Sequence, residues 1–262
     1  MATGKHWLSV ANAAIYLYIL APVIVVLLIA FSGTSSLAFP PASYSLRWFT
    51  HFAHQPELMH ALGMSFTLAI LASLLSLVIG GAAAFGIVRG NLPGRTLVLN
   101  GLMLPLMVPA LAIGVSFLQF YTLFGVPSFP SLLLGHIVIT LPYVVRTLVA
   151  GLENFDVSLE NAAVSLGATR TQAVLRVTLP MLGNSILAAA LFSFIMSFEN
   201  LPIALFLSGP STVTLPMQIY SYITWVFDPT VAAASAIQVA IVVVLAVVIE
   251  RVVGLNRLIS LR

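Results

Sequence analysis

Residues 156–180 read D-V-S-L-E-N-A-A-V-S-L-G-A-T-R-T-Q-A-V-L-R-V-T-L-P, a long polar interval between two apolar runs. The loop 152–180 around it holds three of the seven acids (Glu153, Asp156, Glu160) and two of the ten bases (Arg170, Arg176). In so apolar a chain, a polar segment of this length has work to do in water. Its pattern predicts two short helices with a joint. Ser158 or Asp156 can cap the first, in which Leu159, Ala163 and Leu166 recur on one face. Gly167 then acts as a helix stop. Thr169, with Gln172 three residues on, makes a capping box for a second helix. That helix carries Val174, Leu175 and Val177 and is predicted to end at Pro180.

The rest of the chain explains why this interval stands out. Of 262 residues, 60% are hydrophobic and only 6% charged, against about 25% charged in soluble domains. Mean hydropathy is +1.11. The composition is that of an all-α polytopic membrane protein. No cysteine is present, which excludes disulfides, thiolate nucleophiles and Cys-based metal sites. The net charge of +3 gives no reason to invoke nucleic acid as a partner.

Taken in order, the apolar runs predict six spans in a single domain, residues 1–262. The first, residues 7–32, is an uncharged run of 26 residues, too long for the ~7–15-residue core of a signal peptide. Residues 33–60 read as a polar external loop with a short interfacial segment near Leu46 to Phe49. The second span is 61–88, whose Gly- and Ala-rich end permits close helix contact. Residues 96–135 carry no charge and no histidine. As one helix that run would be ~60 Å long against a ~30 Å hydrocarbon core, so it must turn, most simply at 124–130. The third span is then 96–123, with Pro105 and Pro109 inside it, and the fourth 131–151. The fifth is 181–206 and the sixth 230–249.

Six spans put both termini on one side. Lys5, Arg89, Arg95, Arg146, Arg170, Arg176, Arg251, Arg257 and Arg262 share that side, and Arg47 alone lies on the other. This asymmetry predicts cytoplasmic termini and a cytoplasmic loop 152–180.

Within that loop, Asn161-Ala162-Ala163, then Gly167 after three intervening residues, then Val177-x-Leu179-Pro180, resembles the E-A-A-x-x-x-G-(x)9-I-x-L-P loop of inner-membrane permeases of binding-protein-dependent ABC importers. Asn161 replaces the motif's Glu and Val177 its Ile; Glu160 is the acid that often precedes the motif. Ser45 to Trp48, the start of the second span from Ala61 to Ser65, His136 with Leu141-Pro142, and Thr214-Leu215-Pro216 are similar to the spermidine/putrescine-type branch. The resemblance implies the type I permease fold of ABC importers in a bacterial inner membrane. It also implies an ATPase-docking surface at Glu160, Asn161, Ala162, Ala163, Gly167, Ala168, Thr169, Arg170 and Gln172. The implied partners are two ATP-binding subunits, a second related permease and a periplasmic binding protein. A polyamine or related cation is the implied cargo, with opines, amino-acid derivatives, phosphonates, thiamine or iron as alternatives.

Few other residues could carry chemistry. No G-x-x-x-x-G-K-S/T occurs, so any ATP hydrolysis belongs to another polypeptide, and no cofactor is expected in this chain. His51, His54 and His60 share the first external loop without a metal-ligand spacing, so no metal is expected. Gly63-Met64-Ser65 and His136 admit an intramembrane serine protease as an alternative, and the spans alone admit a channel. Glu199, in Ser197-Phe198-Glu199-Asn200-Leu201-Pro202, is an acid toward the outer end of the fifth span. An acid there faces a cavity or a partner charge, and Pro202 is predicted to break the helix beside it. Glu199 is therefore the candidate for the translocation path, with an ion pair to the partner permease as the alternative.

Overall fold

The computed structural model describes residues 3–90, 92–226 and 228–253. The basic tail with Arg257 and Arg262, and the side chain of Lys5, lie outside the described residues. All regular structure among the described residues is helical: α1 (Thr3–Ala30), α2 (Arg47–His54), α3 (Pro56–Arg89), α4 (Arg95–Met103), α5 (Ala110–Phe124), α6 (Ser128–Glu153), α7 (Val157–Ser165), α8 (Arg170–Ala173), α9 (Leu179–Met181), α10 (Gly183–Phe198), α11 (Leu201–Leu207), α12 (Leu215–Trp225) and α13 (Thr230–Val253). Four stretches are each long and apolar enough to cross a membrane: Ser9–Ala30, Pro56–Arg89, Ser128–Glu153 and Thr230–Arg251. Two bent pairs, Arg95–Leu106 with Ala110–Phe124 and Arg170–Met181 with Gly183–Phe198, bring the number to six if each counts as one span.

The bends depart from the straight spans that hydropathy suggests. The third run does not cross as one rod through 96–123; it turns by 94° between Leu106 and Ala110. Pro105 and Pro109 are the cause. Each lacks an N–H, and each ring crowds the carbonyl four residues back. A 3-10 turn at Leu104–Leu106 takes up the strain. The predicted turn after it is present: α5 stops at Phe124, Gly125 adopts φ +62°, and Pro127 leads into α6. Pro180 does not end its helix as expected. The chain widens into a π turn at Val174–Thr178, continues through α9, and breaks at Leu182, followed by a 66° bend. The wider winding moves carbonyls off the α-helical positions that the proline ring would strike.

One compact unit comprises residues 1–60 and 218–241. Here Ala30, Ala232 and Ala236 form a small-residue core beside Phe49. Helix α2 turns Trp48 and Phe52 inward. Arg47 lies 4.5 Å above the Trp48 ring and bonds Gly33 O at 3.1 Å.

The other unit comprises residues 61–217 and 242–262. Helix α6 is its centre, packing on α5, α10 and α11. Near its loop end Val144, Val145, Leu148 and Leu152 bury themselves with Ala84 and Ile87 of α3. Near its other end Leu132 packs with Ile113, Tyr121, Ile203 and Leu207. Two pairs of polar side chains inside this unit meet across helices, as a medium without water favours. Ser76 and Thr140 hydroxyls lie 2.7 Å apart, and His136 Nδ1 lies 2.8 Å from Ser197 Oγ. Small residues set the helix spacing. A β-carbon on Gly80 would lie 2.8 Å from Val144 Cγ1.

That contact makes Gly80→Leu a direct test of the packing. Overpacking costs roughly 1–3 kcal/mol. The variant should show a lower apparent melting temperature in detergent, by several degrees, than Gly63→Leu, where the corresponding space is open.

Candidate functional site

The loop between α6 and α10 is built from local hydrogen bonds. Asp156, and not Ser158, caps α7: its carboxylate accepts from Ser158 N at 2.9 Å. The Ser158 hydroxyl and amide together hold the Asp156 carboxyl below its usual range. A depressed carboxylate keeps its stabilising charge above its ordinary pKa and loses it only as pH falls through the lowered value, so the cap is intact at neutral pH. Helix α7 ends in a Schellman motif. Ala168 N bonds Ala163 O at 3.1 Å and Gly167 N bonds Val164 O at 2.9 Å. Gly167 sits at φ +96°, which side chains with a β-carbon rarely adopt.

The capping box follows at once. Thr169 N donates to Gln172 Oε1 at 2.9 Å, and Gln172 N donates to Thr169 Oγ1 at 3.2 Å. Only Ala168 separates the stop of one helix from the cap of the next. Asn161, Ala162, Thr169, Arg170 and Gln172 are exposed along this joint, with Ala163 and Ala168 half-buried.

Glu160 points elsewhere. Arg89 Nη2, from the last residue of α3, reaches Glu160 Oε1 at 3.3 Å, and Thr178 Oγ1 donates to the same oxygen at 2.6 Å. The pair is largely shielded, with side chains 23% and 19% exposed. The Arg89 guanidinium also lies 5.4 Å from the Phe155 ring centroid.

Two features of the joint were not visible in the pattern. The helical period puts Leu166 on one face with Leu159 and Ala163, yet it is 90% exposed at the tip of the joint. The signal was its place next to Gly167: a residue at the helix stop has left the helical period. Arg89 and Thr178 carried no motif at all; only a base closing a span hinted at a nearby acid.

Elsewhere, Glu199 caps the end of α10 and is exposed, with no hydrogen bond or ion pair to its carboxylate among the described residues. The helix breaks there, one turn earlier than Pro202 alone implies. Asn200 Oδ1 accepts from Ile203 N at 2.9 Å to start α11, and Pro202 fits within its first turn, where no N–H is missed. A cavity of about 280 Å³ lies beside this break, lined by Pro105, Leu106, Val108, Tyr143, Met196 and Asn200. A larger cleft of about 840 Å³ opens near the loop, with Arg146, Asn154, Asp156, Asn184 and Ser185 on its walls.

The protease alternative finds no geometry. Ser65 Oγ accepts from Leu215 N at 2.8 Å while His136 bonds Ser197, so the two residues do not meet. His51 Nδ1 lies 3.0 Å from Thr230 Oγ1 and His54 Nδ1 lies 2.7 Å from Thr50 O. Among the described residues no three His, Asp or Glu side chains are placed to share an ion.

Residues 76–257 match the family described as "Binding-protein-dependent transport system inner membrane component". The chain is 28% identical over 235 residues to the spermidine/putrescine transport system permease protein PotC of Escherichia coli K12, covering 89% of each. It is 30% identical over 230 residues to the putrescine transport system permease protein PotI of the same strain, covering 85% of this chain and 82% of that one. In fold it is similar to a chain of a bacterial ABC transporter involved in the import of alginate, with TM-score 0.74, 14% identity and coverage of 95% and 96%.

The joint itself can be tested without any partner. Gly167→Ala places a β-carbon in left-handed backbone at a cost of roughly 1–2 kcal/mol. Removing the cap with Thr169→Ala costs about 1 kcal/mol. Hydrogen exchange should accelerate across 163–173 in both variants and leave α6 unchanged.

Proposed function

The chain belongs to the binding-protein-dependent transport system inner membrane component family, as a multi-pass permease subunit of an ABC importer, and on that premise we propose its cargo, its partners and its orientation. The cargo is a polyamine. The permease pairs with a second, related permease to enclose the path, receives solute from a periplasmic binding protein, and is driven by two ATP-binding subunits. ATP hydrolysis takes place on those subunits; this chain supplies the path and the lever.

The exposed joint 161–172 docks on the ATP-binding subunit, with Glu160 turned behind it toward Arg89 and Thr178. Leu166 at the tip, with Leu159 and Val164 also exposed on α7, offers apolar surface that such a partner would bury. The Schellman stop and capping box on either side of Ala168 hold that tip rigidly enough to transmit a push. Small side chains at Ala162 and Ala163 allow a groove to close over it. Both termini and the loop 152–180 face the cytoplasm, where the ATP-binding subunits work.

The observation that carries the cargo assignment is Glu199. A carboxylate without a partner among the described residues, at a helix break in an apolar span, needs a cation or water. Amines remain protonated at neutral pH, as lysine does. A polyamine passing the break between α10 and α11 would supply the missing charge, and the relatives named for spermidine and putrescine support the same class.

In proteoliposomes holding the complete importer, Glu199→Gln should lower putrescine uptake about tenfold, the scale of losing one charge-assisted hydrogen bond, with binding-protein affinity and assembly intact. Unchanged uptake would remove the polyamine path from this residue, and loss of the second permease would make Glu199 an ion-pair partner instead. Orientation is tested separately. The chain has no native cysteine, so Ser165→Cys gives a single label site; it should resist an impermeant maleimide in intact cells and react after permeabilisation.

A further inference from the structure

We infer that Glu160 is the positioning residue that fastens the docking joint to the membrane helices, with Arg89 and Thr178 as its two anchors; the inference rests on the docking assignment above. One carboxylate oxygen joins three segments. Glu160 stands in the first turn of α7, where a negative charge also suits the helix dipole. Arg89 ends α3, a helix of 34 residues. Thr178 is fully buried and closes the π turn that leads into the next span.

The geometry separates a fixed point from a yielding one. Arg89 is held from two sides, by the Glu160 carboxylate and by the Phe155 ring. Its reach for another partner is therefore limited, and α7 cannot rotate without pulling on the end of α3. The π turn at Val174–Thr178 is the yielding element of this arrangement, a single wide turn of the kind that recurs at functional sites. Thr178 lies at the end of that turn and bonds the same oxygen. Motion of the joint is thus delivered to α3 directly and to α10 through a compliant link. Without the carboxylate, α7 would remain folded by its own caps and could still dock, but its displacement would be absorbed in the π turn.

The test is made on the purified, complete importer. A cysteine replacing Met196, which lines the cavity at the helix break, reports movement of the spans whatever solute is carried. In the otherwise unchanged complex, ATP should alter its labelling rate about fivefold or more, the scale of ordinary coupling between sites. Glu160→Gln and Arg89→Gln should each reduce that ATP-dependent difference to less than about twofold, while ATP hydrolysis and subunit assembly persist. The charge exchange Arg89→Glu with Glu160→Arg should recover at least half of the response. Single variants that keep the full response, or an exchange that recovers none of it, would overturn the strut. Loss of the ATP-binding subunits in Glu160→Gln would also overturn it, because Glu160 would then belong to the docking face. Gly167→Asp distinguishes the underlying assignment. If that variant keeps both assembly and the ATP response, the docking reading itself fails, whereas its loss beside unaffected Glu160 and Arg89 variants refutes the strut alone.

Discussion

No water reaches a hydrocarbon core, so every backbone N–H and C=O there needs a partner within the protein. Long helices meet that demand along most of this chain. The departures sit at Leu106–Ala110, at Leu182 and at Glu199–Asn200, and each comes with a local remedy. At the first, the 3-10 turn lets Met107 N bond Leu104 O at 2.9 Å. At the last, the Asn200 side chain takes the Ile203 amide. Proline helps at both breaks in an indirect way: Pro105, Pro109 and Pro202 have no N–H, so the first break leaves two donors fewer to satisfy and the last one fewer. A polar membrane interior arises for the same reason. Ser65 accepts the Leu215 amide at the start of α12, and Ser76, Thr140, His136 and Ser197 pair between α3, α6 and α10.

The loop 152–180 obeys different physics, and that is why so much of it could be read directly. Capping is decided by residues within a few positions of one another, so Gly167 as a stop and Thr169 with Gln172 as a box follow from identity and spacing. The choice of Asp156 over Ser158 as cap did not follow, since either side chain has the chemistry. The turn at Gly125 was equally legible from length alone, because forty uncharged residues cannot cross as one helix.

What remained hidden depends on distant partners. Hydropathy reports the cost of transfer into lipid and carries no direction, so the 94° bend of the third run left no trace beyond two prolines. Pro180 was read as a terminus because the usual clash with the preceding turn was assumed, whereas a π turn absorbs it. Leu166 follows the helical period in sequence but lies past the last helical residue, so its face is set by the joint. The union of Arg89 with Glu160 spans 71 positions and two helices; no local rule could pair them.

The Schellman stop and capping box have a further consequence for biogenesis. All their hydrogen bonds close within 163–172, a stretch shorter than a single span. None of these bonds draws on the later helices, so the caps do not wait for those spans to be inserted. A partner arriving afterwards meets a preorganised surface and forfeits little chain entropy on contact. The shape of these ten residues is thus set by bonds among themselves, independent of the membrane helices on either side.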